Sequence, residues 1–151
     1  MKVLILLIAL FALSYADIAS ESLSVHNSYR SQVGVPDLSW SSSLADSALK
    51  YAQQLQRTNT FQHSGQSGVG ENLAKGYVNM KAAAQAWADE KKWFKNGNFP
   101  DVATSGKSWS DVGHYTQMVW RNTKQVGCGQ AGNVYVCHYQ PQGNFMGQKT
   151  F

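Results

Sequence analysis

Apolar residues between positions 44 and 55 fall at Leu44, Ala48, Tyr51, Ala52 and Leu55, a spacing of i, i+4, i+7, i+8 and i+11. That spacing lays one stripe along a helix, and a serine at 41 to 43 supplies its N-cap. An earlier helix starts near Asp17 or Ser20 and carries Ile18, Leu23, His26, Asn27 and Arg30. Gly34-Val35-Pro36 ends it, because the residue before proline is pushed out of the helical region. A third helix runs from Asn79, as cap, to about Trp93, with Ala82, Ala83, Ala86, Trp87, Glu90, Trp93 and Phe94 on one side. Residues 38–40 form a short extended link.

The period then changes. Residues 115–120, 126–130 and 134–139 alternate as strands do, and residues 71–77 predict a further short strand. Helices first and antiparallel strands after predict an α+β domain with helices on the sheet faces. Two stretches lack either period. Residues 59–70 are rich in Gly, Ser, Gln and His, and their Gly65, Gly68 and Gly70 make neither a dinucleotide fingerprint nor a P-loop. Residues 95–112 form a segment whose length in a compact domain predicts a functional or mobile role.

The N-terminus reads differently from the rest. Lys2 precedes an apolar run of eleven at 3–13, and Ser14-Tyr15-Ala16 is a small-x-small cleavage site. The pattern predicts a secretory signal peptide over 1–16 and a mature domain over 17–151. Eleven helical residues reach only about 16 Å, half a bilayer core, so no stable membrane span is expected.

Of the 151 residues, 43% are hydrophobic and 12% aromatic, which excludes a disordered chain. Removing Lys2 from the 13 Lys+Arg leaves 12 against 9 Asp+Glu, a net charge of +3. The positives are scattered apart from Lys91, Lys92 and Lys95, which read as a solvated helix end. No basic stripe or nucleic-acid module is present, so no nucleic-acid partner is expected. The two cysteines, Cys128 and Cys137, flank Gly129, Gly132 and Asn133. In a secreted chain they predict one disulfide across a hairpin, stabilising by about 2–3 kcal/mol in the chain-entropy model.

Candidate chemistry rests on few residues. The chain has three glutamates and four histidines. Glu90 interrupts an apolar stripe and needs a partner if buried. His63 and His114 could bind a divalent ion with Glu71 and Glu90 orienting them, or an imidazole and a carboxylate could form an acid–base pair. By spacing alone the four read equally as satisfied structural polar groups. His26 reads as a structural hydrogen-bonding residue. His138, alternating with Cys137 on a strand, is expected to be exposed. No G-x-S-x-G elbow occurs and both cysteines are expected to be bridged, so a serine or thiol nucleophile is not expected.

Several segments resemble the CAP superfamily: cysteine-rich secretory proteins, antigen 5 and the class 1 pathogenesis-related proteins. They are residues 113–123 (GHYTQMVWRNT) and 134–145 (VYVCHYQPQGNF), His26-Asn27-Ser28-Tyr29-Arg30, Gly70-Glu71-Asn72-Leu73, and Trp87-Ala88-Asp89-Glu90. The resemblance implies an α-β-α sandwich, a central antiparallel sheet of three to four strands between helices. It implies that His63, Glu71, Glu90 and His114 converge in one cleft, where the two histidines can hold zinc or another divalent metal. It places a sterol-binding region of some relatives before His114, where this chain has Trp93, Phe94, Phe99 and Trp109. Cys128 and Cys137 resemble the pair of single-domain fungal and plant-like members. With one cysteine pair, ion-channel regulation by a second cysteine-rich domain is not implied. The expectation is a secreted, extracellular, monomeric protein that binds a small apolar ligand, a sterol or fatty acid, in defence or host interaction. The alternatives are a metal-dependent hydrolase or peptidase using Glu71 or Glu90 as base, and an interaction protein recognised by a receptor of unknown identity.

Overall fold

A computed structural model describes the backbone of residues 2–151 and the side chains of residues 17–151. The expected leader, 1–16, and its cut after Ala16 lie outside the residues whose side chains are described. In chain order the elements are α1 (Lys2–Gln32), β1 (Ser39–Trp40), α2 (Ser42–Thr58), β2 (Gly70–Lys75), α3 (Met80–Ala88), α4 (Gly113–Met118), β3 (Gln125–Ala131) and β4 (Val134–Gln140). Short 3₁₀ turns cover Asp89–Trp93 and Trp109–Asp111. Among the described residues no helix is long and apolar enough to cross a membrane.

The sheet has the order β1-β3-β4-β2. β2, β4 and β3 run antiparallel, and the two-residue β1 joins β3 in parallel. The link expected at 38–40 is therefore an edge strand, held by Ser39 N–H to Lys124 O and Ser41 N–H to Val126 O. Cys128 and Cys137 face each other in register on β3 and β4 and are joined by a disulfide.

Helices cover both faces of the sheet. On β4, Tyr135, Cys137 and Tyr139 point into a core with Val25, Met80, Ala83, Trp87, Tyr115 and Met118. Their neighbours Val134 and Val136 point the other way, against Ala48, Ala52 and Leu55 of α2. This α-β-α sandwich is the expected architecture, and it buries β4 on both sides. Gly127 and Gly129 of β3 let α2 lie against the strand: a Cβ on Gly129 would stand 2.7 Å from Leu49 Cβ and collide with the Leu49 backbone.

Caps set the helix starts as expected. The Ser41 hydroxyl accepts from Leu44 N–H, and the Asn79 side chain accepts from Ala82 N–H. α3 is shorter than the stripe to Trp93 implied, because the chain tightens into the 3₁₀ turn at Asp89. Residues 115–120, expected as a strand, belong mostly to α4. They are buried throughout, and a short stretch buried on every side shows no period that separates helix from strand. The segment 95–112 is tied down. Phe99, Val102, Ala103 and Val112 form a core with Trp120, and Phe99 N–H bonds Gln148 O.

His26 and Arg30 secure α1. Arg30 is buried and donates to the carbonyls of Pro36, Met118, Trp120 and Thr123. His26 Nδ1 lies 2.7 Å from Ser22 O and its Nε2 lies 2.8 Å from Tyr139 Oη. Burial lowers its pKa from the ordinary 6.5 to about 4; the Ser22 bond opposes this and Arg30 adds to it. A depressed folded pKa means stability is intact above pH 6.5 and is lost as the pH falls from 6.5 toward 4. The shift corresponds to about 3 kcal/mol. Urea unfolding at pH 7 and pH 4 should show that loss in the wild type and a smaller one in His26→Gln. Equal losses would refute the assignment.

Candidate functional site

Two imidazole–carboxylate pairs stand at the β2 end of the sheet. Glu71, on β2, lies in register with His138 on β4. Its Oε2 is 3.0 Å from His138 Nε2, and its Oε1 accepts from His63 Nδ1 at 2.8 Å and from Ser64 N–H at 2.9 Å. His63 belongs to the α2–β2 loop, which Tyr51 of α2 anchors by an Oη–H bond to Gln62 O, 2.6 Å. Burial alone would raise the Glu71 pKa, but the bonds from His138, His63 and Ser64 outweigh it and hold the carboxyl well below its usual range. The bond to Glu71 raises the His63 pKa, burial opposes it, and the Glu71 charge adds to the rise.

The second pair joins the 3₁₀ turn after α3 to the start of α4. Glu90 Oε1 is 2.6 Å from His114 Nδ1, and Oε2 accepts from the amides of His114 (3.0 Å) and Tyr115 (3.1 Å). No side chain of Val112 or Gly113 caps α4, so a carboxylate from another element satisfies its first amides. Trp87 stacks on the His114 ring at 6.0 Å and is fixed by its own Nε1–H bond to Leu73 O. Asn72 Nδ2–H reaches both His114 O and Tyr139 Oη, tying the site to the core.

His63, Glu71 and His114 line one cleft of about 250 Å³, together with Asn72, Trp109, Ser110, Gly113 and Asn144. Glu90 lines an adjoining hollow of about 290 Å³ with Phe61, Tyr77 and Trp87, and His114 is the wall common to both. The structure thus brings three of the four candidates to one cleft and attaches the fourth to it through His114. Each histidine spends Nδ1 on a carboxylate. Neither Nε2 has a protein partner among the described residues, which is the arrangement that leaves Nε2 as donor to a metal. No group of three or more His, Cys, Asp or Glu side chains that could hold a metal occurs among the described residues.

Of the four aromatic candidates, Trp109 reaches this cleft and is half exposed. Phe99 is buried between Trp109 and Trp120. Phe94 packs on Tyr115 and Phe151. Trp93 lies under the ammonium groups of Lys92 and Lys107.

His138 departs from expectation. It is 1% exposed, because α2 covers the sheet face that its alternation with Cys137 assigned to solvent. Its Nδ1 meets Ser47 Oγ of α2 at 3.1 Å. The signal in the sequence was Val134 and Val136, apolar residues on the same alternating set as His138, which mark a face of β4 that is also covered.

An α-β-α sandwich with paired histidines and glutamates at one sheet edge defines the class. Residues 23–139 match the family model described as the cysteine-rich secretory protein family, CAP, and the chain belongs to that family. It is 36% identical over 162 residues to pathogenesis-related protein 1 of Arabidopsis thaliana, covering 99% of this chain and 96% of that one. It is 37% identical over 137 residues to pathogenesis-related protein 1A of Nicotiana tabacum, covering 85% and 78%. Secreted protein RBT4 of Candida albicans is 40% identical over 136 residues, but the match spans only 36% of that longer protein and 85% of this one. Among solved structures, NaASP2 with Zn2+ superimposes with a TM-score of 0.72 at 28% identity, covering 91% of this chain and 87% of that one. The chain is therefore a CAP-domain protein similar to the class 1 pathogenesis-related proteins.

Proposed function

We propose that this is an extracellular, non-enzymatic binding protein whose cleft holds a divalent cation through His63 and His114 and takes a small apolar ligand, a sterol or fatty acid, against Trp109. The observation that carries the reading is the pair of imidazoles with Nδ1 engaged and Nε2 free on one cleft. Such a donor set fits zinc with water or ligand completing the coordination, and one neighbour in the family is described with Zn2+. The bound cation would supply a positive centre for a ligand's polar end. Trp109 offers the apolar face beside it. The secreted relative supports an extracellular setting.

The hydrolase alternative is less well supported. A general base needs a carboxylate oxygen within reach of the proton it takes. Every oxygen of Glu71 and Glu90 already accepts from an imidazole or an amide, which favours a role in orienting the histidines.

Calorimetric titration tests the reading. The wild type should bind one equivalent of zinc, and His63→Ala or His114→Ala should each weaken it by about a hundredfold or more. Tryptophan fluorescence should report saturable fatty-acid or sterol binding that Trp109→Ala abolishes. No zinc uptake, or ligand binding indifferent to Trp109→Ala, overturns the corresponding half.

A further inference from the structure

One titratable residue beside the cleft has no part in the reading above. His138 is buried in β4, and both of its ring nitrogens are engaged: Nε2 with Glu71 Oε2 at 3.0 Å and Nδ1 with Ser47 Oγ at 3.1 Å. Ser47 Oγ–H in turn reaches Gln66 Oε1, 3.2 Å, in the loop that carries His63. A continuous chain therefore runs Gln66–Ser47–His138–Glu71–His63, from the loop through the covered face of the sheet and back to the same loop. Glu71 sits between two imidazoles, one buried and one whose side chain is 64% exposed.

That placement has a chemical consequence. A carboxylate on an edge strand can rotate, and a rotated Glu71 would not meet the mobile end of an exposed histidine in one geometry. A donor fixed by burial on Oε2 leaves Oε1 a single direction, toward His63 Nδ1 and Ser64 N–H. Since the carboxylate has no hydrogen to give, the hydrogen of the 2.8 Å contact with His63 belongs to Nδ1. The Nε2 atom of a neutral His63 is then a bare lone pair facing the cleft.

We propose that His138 is a positioning residue of the cleft, holding Glu71 from the buried side so that His63 is locked in the tautomer that presents an unprotonated Nε2. The inference deepens the reading of His63 as a cleft donor and rests on it, but its first readout needs no metal.

The test uses the metal-free mature chain at a pH where His63 is neutral. Imidazole ¹⁵N shifts identify which ring nitrogen carries the hydrogen. The wild type should show His63 protonated at Nδ1. His138→Leu, which removes the donor, should return His63 to a mixture dominated by the Nε2–H form of a free imidazole. His138→Gln, which keeps an N–H of similar reach, should restore the wild-type signal. If His138→Leu does not fold, His138→Asn, too short to reach Oε2, takes its place. Zinc affinity should follow the same order, about tenfold weaker without the donor and largely recovered in His138→Gln. An unchanged His63 tautomer in a folded variant lacking the donor overturns the inference. If the wild type binds no zinc but His138→Leu still shifts the His63 tautomer, the metal reading is overturned and this one stands.

Discussion

Arg30→Met is expected to destabilise the protein by about 3–5 kcal/mol, because the substitution removes a donor from four carbonyl oxygens and leaves those of Pro36, Met118 and Thr123 without one. The guanidinium donates to Pro36, Met118, Trp120 and Thr123, residues from three parts of the chain; Trp120 O also accepts from Thr123 N–H. Methionine matches the stem of arginine but offers none of the donors. Each buried acceptor left without a partner costs about 1–3 kcal/mol, and local relaxation recovers part of the sum. Arg30→Lys keeps the charge yet presents one compact ammonium in place of a planar fork, so it should recover less than half. Urea unfolding measures both. A loss under 1 kcal/mol for Arg30→Met would show that the turn after α4 holds its shape without the arginine.

Gly129→Val should have an effect of similar size for the opposite physical reason. Here the fold has too little room. The added side chain would meet the Leu49 backbone on α2, which cannot swing aside as a flexible side chain could. Helix and sheet would have to separate, and overpacking of that kind costs about 1–3 kcal/mol or more. Separation would also carry Ser47 away from His138, since both lie on the same α2–sheet interface. The expected result is a lower urea midpoint together with a disturbed His138 resonance. An unaltered midpoint would refute the close contact between α2 and β3.

Much of this organisation could be read from residue patterns. The stripe from Leu44 to Leu55, the Ser41 and Asn79 caps and the Cys128–Cys137 pair are local signals. Each depends on neighbours a few positions away, and each agrees with the structure. The 115–120 segment failed for the complementary reason. What makes it helical is a carboxylate 24 positions upstream, Glu90, whose oxygen satisfies the first amides of α4. His138 failed likewise: nothing near it in the chain says that α2 folds over that face. The candidate site was only partly legible. Glu90 announced a need for a partner by interrupting an apolar stripe, but the pairing with His114, like that of His63 with Glu71, rested on the family resemblance. Which oxygen meets which nitrogen required the register of β2 on β4.

The hairpin between β3 and β4 turns at Gly132 and Asn133, both exposed. It lies at the far end of β4 from His138, five residues from Asn133 and so about 17 Å along the strand. The disulfide stands between the two, clamping the hairpin before any disturbance at its tip can travel to the His138 end. That tip is consequently the natural attachment point for a fluorophore or a surface tether, away from the Glu71–His138 end of the sheet.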